Sequence, residues 1–251
     1  MKHFITFLCG SVLLLTSHAE AQYWYAGVTQ TARLAYHAEA TINIIQQPSK
    51  SLCKSPCHVI AWIALWDRKA ADKPSASGAF VEMGVGLQTG TLGDTNLVTM
   101  WYTGSLTPDL AWRYGIAWPA KTTDIIDVTP DTAAIRVPLN TPVRCTLDKN
   151  DGEEFITARW YTNTGGTPKI VTRIVPVPGW VNGPGVHPVN YEVAPGYKYK
   201  IQNGLPRPVN ITFTGVTHLT GDVNAFLEAD PPYTISGTLT DFTVGVSATG
   251  K

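Results

Sequence analysis

The chain has 251 residues, of which 15% are charged, and its 19 basic residues balance 19 acidic ones. Charged residues make up about 25% of a typical domain, so this neutral chain offers no electrostatic footprint for nucleic acid or for an anionic membrane. We therefore expect its partner to be an uncharged polymer or a peptide. A polypeptide or a carbohydrate substrate fits this description.

Residues 1–21 have the pattern of a secretory signal peptide. The basic pair Lys2-His3 precedes an apolar run from Phe4 to Leu15 that is too short to span a bilayer, and Ala19-Glu20-Ala21 is a small-residue cleavage site. Residues 22–251 then form the mature chain, which one β-sandwich domain can accommodate. We expect a secreted or periplasmic protein with no membrane association in its mature form.

Patterns typical of β strands follow one another along the mature chain. Residues 59–66 are a near-continuous apolar run, which suits a core strand covered on both faces. Similar short segments occupy residues 80–88, 97–102, 133–137, 143–147, 155–162, 169–175, 197–201, 209–213 and 242–246. Because glycine, proline, asparagine and aspartate separate these segments, the chain is predicted to be an all-β sandwich or barrel.

Two connecting segments have their own patterns. Asn163-Thr164-Gly165-Gly166 predicts a hairpin loop. Residues 176–195 contain several prolines and glycines, which predicts a long loop over one face of the domain instead of regular sheet.

The strand at residues 80–88 has an unusual face. Side chains alternate along a strand, so Glu82, Gly84, Gly86 and Gln88 share one face, where two polar groups flank a strip without side chains. Such a strip lets a ligand lie close to the backbone. The alternative interpretation is a solvent-facing strand near the edge of a sheet.

The cysteines indicate a disulfide and not a metal site. Cys53 and Cys57 are four residues apart and are our preferred pair for an oxidising compartment, which leaves Cys145 as a free, buried thiol. The histidines and cysteines form no zinc signature, so we predict neither a metal nor another cofactor.

Several motifs occur in the same order as in one family. They are Ala61-Trp62-Ile63-Ala64-Leu65, Phe80-Val81-Glu82-Met83-Gly84-Val85, Met100-Trp101-Tyr102, Thr141-Pro142-Val143, Arg159-Trp160-Tyr161-Thr162-Asn163-Thr164-Gly165 and Pro188-Val189-Asn190-Tyr191-Glu192-Val193. This succession resembles the glutamic peptidases, or eqolisins, in which an A-W-V-G-I strand precedes an apolar-apolar-Gln-x-Gly-Val strand and then an aromatic W-Y-E-W strand. The resemblance covers roughly residues 58–193.

The resemblance implies a concanavalin-like sandwich, or jelly roll, of two antiparallel sheets, with a catalytic Glu and Gln on its concave face. Glu192 takes the place of the Glu that activates water as a general base. Glu82 takes the place of the Gln, although a carboxylate donates a hydrogen bond to an oxyanion only when it is protonated. The family's carboxylate in the W-Y-E-W strand is replaced by Thr103.

Three explanations of this departure stay open. Glu82 and Glu192 can form a pair of which one member is protonated. Alternatively Gln88, within Leu87-Gln88-Thr89-Gly90, is the family Gln. In the third explanation the pair is not catalytic, and the fold is a binding module.

The leading prediction is a secreted acid endopeptidase, a hydrolase of glutamic-peptidase type. The second is a non-catalytic module that binds carbohydrate or peptide, and the third is a glycoside hydrolase with paired Glu residues. In each of these, the substrate groove would be lined by glycines and aromatic residues of the three family strands, namely Trp62, Trp66, Gly84, Gly86, Trp101 and Tyr102.

Overall fold

The computed structural model describes residues 24–29, 37–46, 57–67, 80–89, 97–105, 111–112, 136–150, 152–177, 184–194, 208–217, 226–229, 231 and 233–248. These residues contain strands and turns and no helix, and therefore no helix that could cross a membrane. Their strands are β1 Trp24–Thr29, β2 His37–Gln46, β3 Cys57–Asp67, β4 Phe80–Thr89, β5 Leu97–Ser105, β6 Ala111–Trp112, β7 Arg136–Pro138, β8 Val143–Asp148, β9 Phe155–Thr164, β10 Thr167–Pro176, β11 Pro184–Ala194, β12 Val209–Thr214, β13 Phe226–Ala229, β14 Thr234–Gly237 and β15 Phe242–Val246.

The described strands form two antiparallel sheets. In the first sheet the order is β13-β1-β11-β3-β4-β5-β6, and β7 also pairs with β5. In the second sheet the order is β10-β9-β8-β2-β12-β15-β14. The predicted all-β, two-sheet antiparallel sandwich is confirmed.

One hydrophobic core lies between the sheets. Along β2, Ala38, Ala40, Ile42 and Ile44 are buried, while the residues between them are partly exposed. The period of two puts these four side chains on one face, where they belong to the same cluster as Val59, Ala61, Ile63 and Leu65 of β3. Burying each isoleucine or leucine contributes roughly 1.5–3 kcal/mol, so this alternation is the main stabilising pattern of the fold.

The predicted hairpin loop is confirmed and is shorter than expected. The strands extend to Thr164 and resume at Thr167, so the turn consists of Gly165 and Gly166. Their φ angles are 63° and 80°. A two-residue turn with two positive φ angles matches the twist of the flanking strands and favours glycine.

The prediction of a loop at residues 176–195 is wrong for its second half. Residues 184–194 are β11, which lies in the first sheet between β1 and β3. Proline lacks an N–H, but Pro184 begins the strand, and Pro188 lies where the register with β3 shifts between His187 and Asn190. A strand tolerates proline at its first residue and at a bulge, so both prolines occupy permitted positions.

A hydrogen bond between two residues of the family-like motifs joins the two sheets. The buried indole of Trp160, on β9, donates from Nε1 to the carbonyl oxygen of Gly84, on β4, at 3.0 Å. A Cβ on Gly84 would overlap the carbonyl oxygen of Ala61 and lie 2.7 Å from Cα of Trp62. Gly84 is therefore enclosed by the backbone of β3 on one side and by Trp160 on the other.

The second sheet carries an ionic network on the face turned away from the core. Arg144 donates to both carboxylate oxygens of Glu39 at 2.7 Å, and Arg159 donates to Asp148 at 2.6 Å. Nδ1 of His37 lies 2.6 Å from Asp148 Oδ1, and its Nε2 lies 3.3 Å from Glu39. Each carboxylate thus faces at least one cation or imidazole.

The network shifts the pKa values of its members in opposite directions. The hydrogen bond with Asp148 raises the pKa of His37, and the same hydrogen bond lowers the pKa of Asp148. The hydrogen bonds from Arg144 lower the pKa of Glu39. The carboxylates therefore stabilise the fold above their unfolded pKa near 4, and His37 does so below its unfolded pKa near 6.5, so the full network acts between about pH 4.5 and 6.5.

Substitution of Gly84 by alanine should destabilise the domain strongly. The added Cβ would force β3 and β4 apart, and we expect unfolding to require about 3 kcal/mol less free energy, as for overpacked core positions. Urea unfolding followed by tryptophan fluorescence measures this change.

Gly245→Ala, in β15 of the other sheet, is the matched control. Its Cβ would meet Val209 O at 3.5 Å and Thr234 Oγ1 at 3.7 Å, which are ordinary contacts. We expect a change within about 0.5 kcal/mol. Equal stability of the two variants would contradict the close approach at Gly84.

Substitution of His37 by glutamine should destabilise the domain in acid and not in base. The imidazolium stabilises the network only while it is protonated, and exposed pairs contribute up to about 1 kcal/mol, so we expect a loss of about that size near pH 5.5 and almost none near pH 8.5. A double-mutant cycle with Asp148→Asn at both pH values measures the coupling. The same coupling energy at both pH values would argue against a charged pair.

Candidate functional site

The candidate site lies on the face of the first sheet that is turned away from the core. Ala61 and Ile63 of β3 point into the core, so Trp62 and Ala64 belong to the opposite face. We call this the outer face of the first sheet. Trp62 is 4% exposed and Ala64 is 0% exposed, so the outer face is shielded from solvent at these positions.

Glu82 brings a carboxylate to this shielded face. It pairs with Ala64 on β3 and with Thr103 on β5, and its side chain is half-buried. We call residues that pair across neighbouring strands a row. The next row on this face contains Gly84, which pairs with Trp62 and Trp101. The predicted alternation is confirmed, because Val81, Met83 and Val85 are buried in the core on the opposite face.

Glu192 is related to Glu82 and Gln88 through the register of β3. Position 192 pairs with Ile60, which pairs with Gly86. Gln88 lies one row further along β4, and Glu82 lies two rows away in the other direction. With about 4.8 Å between strands and 3.3 Å per residue, the Cα of Glu192 is roughly 12 Å from that of Gln88 and roughly 16 Å from that of Glu82.

The remaining predicted groove residues are known by strand position alone. The side chains of Gln88, Glu192, Trp66, Trp101 and Tyr102 lie outside the described residues. By register, Trp66 pairs with Phe80 and Trp101 pairs with Gly84, in rows of the outer face. Tyr102 pairs with Met83, in a row that faces the core. The catalytic and substrate-binding assignments stay predictions.

Sequence reasoning missed one titratable residue of this sheet. Position 187 pairs with Ala64, and Ala64 pairs with Glu82, so His187 and Glu82 share a row with only the methyl side chain of Ala64 between them. Two strand spacings put their Cα atoms roughly 10 Å apart. The sequence held no clear signal for this row, because Pro184 and Pro188 are atypical of a strand and led to the prediction of a loop.

The described residues offer no candidate metal centre and no reactive cysteine. They contain no group of three or more His, Cys, Asp or Glu side chains arranged to hold a metal ion. Cys145 is free and buried, as expected, and burial raises the pKa of its thiol, which makes it a poor nucleophile. Cys53 lies outside the described residues and so does the side chain of Cys57, so their disulfide stays a prediction.

Comparison with known proteins identifies similar structures but no similar sequence. No protein-family model and no curated protein sequence matches the chain. A crystal structure of scytalidoglutamic peptidase with a peptide-based transition-state analogue matches with a TM-score of 0.51 and 12% identity, over 90% of this chain and 98% of that chain. The eqolisin SCP-B, in complex with the tripeptide Ala-Ile-His, matches with a TM-score of 0.51 and 11% identity, over the same shares. The fold of this chain is therefore similar to the β-sandwich of the glutamic peptidases, as the order of its strand motifs indicated.

Proposed function

We propose that the protein is an exported acid endopeptidase of the glutamic-peptidase type. One observation carries the proposal: Glu82, at the position of the family Gln, is half-buried on the shielded outer face of the first sheet. Its row on the sheet adjoins the row of Gly84 and Trp62, in a fold similar to that of two peptidases solved with peptide ligands. We extend the same substrate class, a polypeptide, to this chain.

The proposed chemistry needs two polar groups in different protonation states. One carboxylate accepts a proton from water, and a second group donates a hydrogen bond to the oxyanion that forms on the peptide carbonyl. Glu192 is the proposed base, and a protonated Glu82 or the amide of Gln88 is the proposed donor. Glu82 in this role requires acid, because only its neutral form has an O–H to donate.

The strand register and the family motif favour different donors. Position 192 is closer to position 88 than to position 82. The motif Phe80-Val81-Glu82-Met83-Gly84-Val85 nevertheless places Glu82, and not Gln88, at the family position. The two donors differ in their pH dependence, because an amide donates at every pH while a carboxyl group donates only when protonated.

A binding module is the second candidate function. Two departures from the family motifs favour it, namely Glu82 in place of Gln and Thr103 in place of the carboxylate after Trp101-Tyr102. Glu82 pairs directly with Thr103 across β4 and β5, so both departures lie in one row. A site altered in this way would hold an extended peptide or a carbohydrate without cleaving it.

Export is part of the proposal. Residues 1–21 are the proposed signal peptide, and the mature chain would be released to a secreted or periplasmic location with the disulfide between Cys53 and Cys57.

The purified mature chain should digest denatured protein in acid. We expect cleavage that is greatest below about pH 4.5, where carboxyl groups begin to be protonated, and that disappears towards neutral pH. Glu192→Gln should lower the rate by at least about 10²-fold, the usual contribution of a general base. Mass spectrometry of the products from about pH 2 to 8 measures both effects.

The control for this experiment is Glu153→Gln, which removes a carboxylate from the turn before β9 in the second sheet. We expect it to cleave like the unmodified chain. Activity that survives in Glu192→Gln would exclude Glu192 as the base, and no cleavage at any pH would support the binding module.

The variant Glu82→Gln should extend activity to higher pH. The amide donates its hydrogen bond without protonation, so the fall in rate above about pH 4.5 should move upward by at least one pH unit if Glu82 is the donor. Gln88→Ala should then leave the profile unchanged. The opposite pattern, an unaltered profile in Glu82→Gln and a lost rate in Gln88→Ala, would assign the oxyanion to Gln88.

A further inference from the structure

The edge strand β10 has an exposed apolar strip. Among the described strands it pairs only with β9, at the end of the second sheet. Ile170 is 62% exposed and Ile174 is 57% exposed, and both lie on the face turned away from the core. Thr172, between them, is also exposed. A long, exposed apolar edge is a template for pairing with another strand.

The hairpin turn determines which backbone groups of β10 face outward. In a two-residue hairpin the residues that flank the turn, here Thr164 and Thr167, exchange both hydrogen bonds. Bonding then alternates, so odd-numbered residues of β10 bond to β9, and the N–H and C=O groups of residues 170, 172 and 174 point away from β9. The guanidinium of Arg173 donates from Nη1 to the carbonyl oxygen of Thr172 at 2.9 Å. Pro168 and Pro176 also have even numbers, which is consistent with this pattern, because proline has no N–H for β9.

The sequence of β10 is nearly symmetric about Thr172. It reads Pro168-Lys169-Ile170-Val171-Thr172-Arg173-Ile174-Val175-Pro176. If two copies meet antiparallel with Thr172 opposite Thr172, each Ile170 faces Ile174 of the other copy. The amides of Ile170, Thr172 and Ile174 in each copy then donate to carbonyls of the other. The prolines meet at both ends and stop the ladder there.

Charges favour a second copy as the occupant of this edge. In the symmetric register Lys169 lies opposite Val175 and Arg173 lies opposite Val171, so no cations face each other. Glu154 adjoins the end of β10, because its carbonyl accepts a hydrogen bond from the N–H of Val177 at 2.8 Å. Strand spacings put Lys169 of one copy and Glu154 of the other roughly 12 Å apart at Cα, within reach of two long side chains of opposite charge.

We propose that β10 is the interface of a symmetric homodimer, in which the second sheets of two copies join edge to edge. Each seven-stranded sheet then continues into its copy. The four isoleucines form one apolar cluster on the outward face, and the outward N–H groups at the centre of β10 gain acceptors. The carbonyl of Thr172, which accepts from Arg173 of its own chain, then accepts a second hydrogen bond from the other copy. The interface involves the sheet that lacks the candidate catalytic residues, so it is independent of the proposed peptidase activity.

A cysteine at the symmetry axis tests the register. Hydrogen-bonded residues opposite each other in an antiparallel pair have Cα atoms about 5.5 Å apart, which suits a disulfide. We expect Thr172→Cys in the mature chain to form a covalent dimer on mild oxidation. Ile170→Cys should not, because its symmetry mate lies opposite residue 174. Non-reducing electrophoresis distinguishes the two variants.

Mass measurement in solution tests the dimer without a covalent link. Light scattering coupled to gel filtration should give twice the chain mass, and the double variant I170K/I174K should give the mass of one chain. Both isoleucines are exposed, so this variant should keep its fold, which circular dichroism checks. Ile45→Lys, which changes an isoleucine on β2 that is 36% exposed, is the control and should remain dimeric.

Two results would overturn the proposal. One is a monomeric mass for the unmodified chain at the highest concentration it tolerates, which would make β10 an edge protected by Lys169, Arg173 and its prolines. The other is a dimer whose mass is unaffected in I170K/I174K, which would place the contact on another surface.

Discussion

The hydrogen bond from Trp160 to Gly84 is the contact on which the arrangement of the two sheets depends. It crosses the hydrophobic core, where an unpaired indole N–H or carbonyl would cost about 1–3 kcal/mol, so it fixes the spacing of β9 and β4 at one point. Gly84 can turn its carbonyl to Trp160 and approach β3 because it has no Cβ. Glu82 is two residues away on the same strand, so one contact sets both the packing of the sheets and the position of the candidate acid.

The close approach of β3 to Gly84 gives this glycine of β4 a structural role that the sequence did not suggest. The sequence suggested that glycine makes room for a ligand, whereas at Gly84 the space is occupied by the backbone of Ala61 and Trp62. At this end of β4 the site would be defined by the half-buried Glu82 and by the positions that pair with it across the sheet, Ala64 and Thr103. Specificity for a ligand would therefore come from these rows and from the strands that flank them.

Much of the fold could be predicted from local patterns, and the site could be predicted only in part. The strand at residues 242–246 and the Gly165-Gly166 turn follow from alternation and from glycine's tolerance of positive φ. β2 was missed although Ala38, Ala40, Ile42 and Ile44 alternate, because alanine is a weak strand signal. The row of Glu192 depends on the irregularity between His187 and Asn190, and a shift of one residue moves every side chain to the other face. No local pattern reveals such a shift.

The position of β2 has a consequence for how the chain folds. This early strand lies in the middle of the second sheet, where Ala40 pairs with Cys145 and Ile44 pairs with Ile211. Neither edge of β2 can be satisfied until segments from the middle and from near the end of the chain have been synthesised. Contacts of such long sequence separation slow folding, because the entropy of closing the loops is lost before the pairing stabilises them. The nascent chain would thus stay unfolded for longer than a protein built from local hairpins, which would suit the export that we propose.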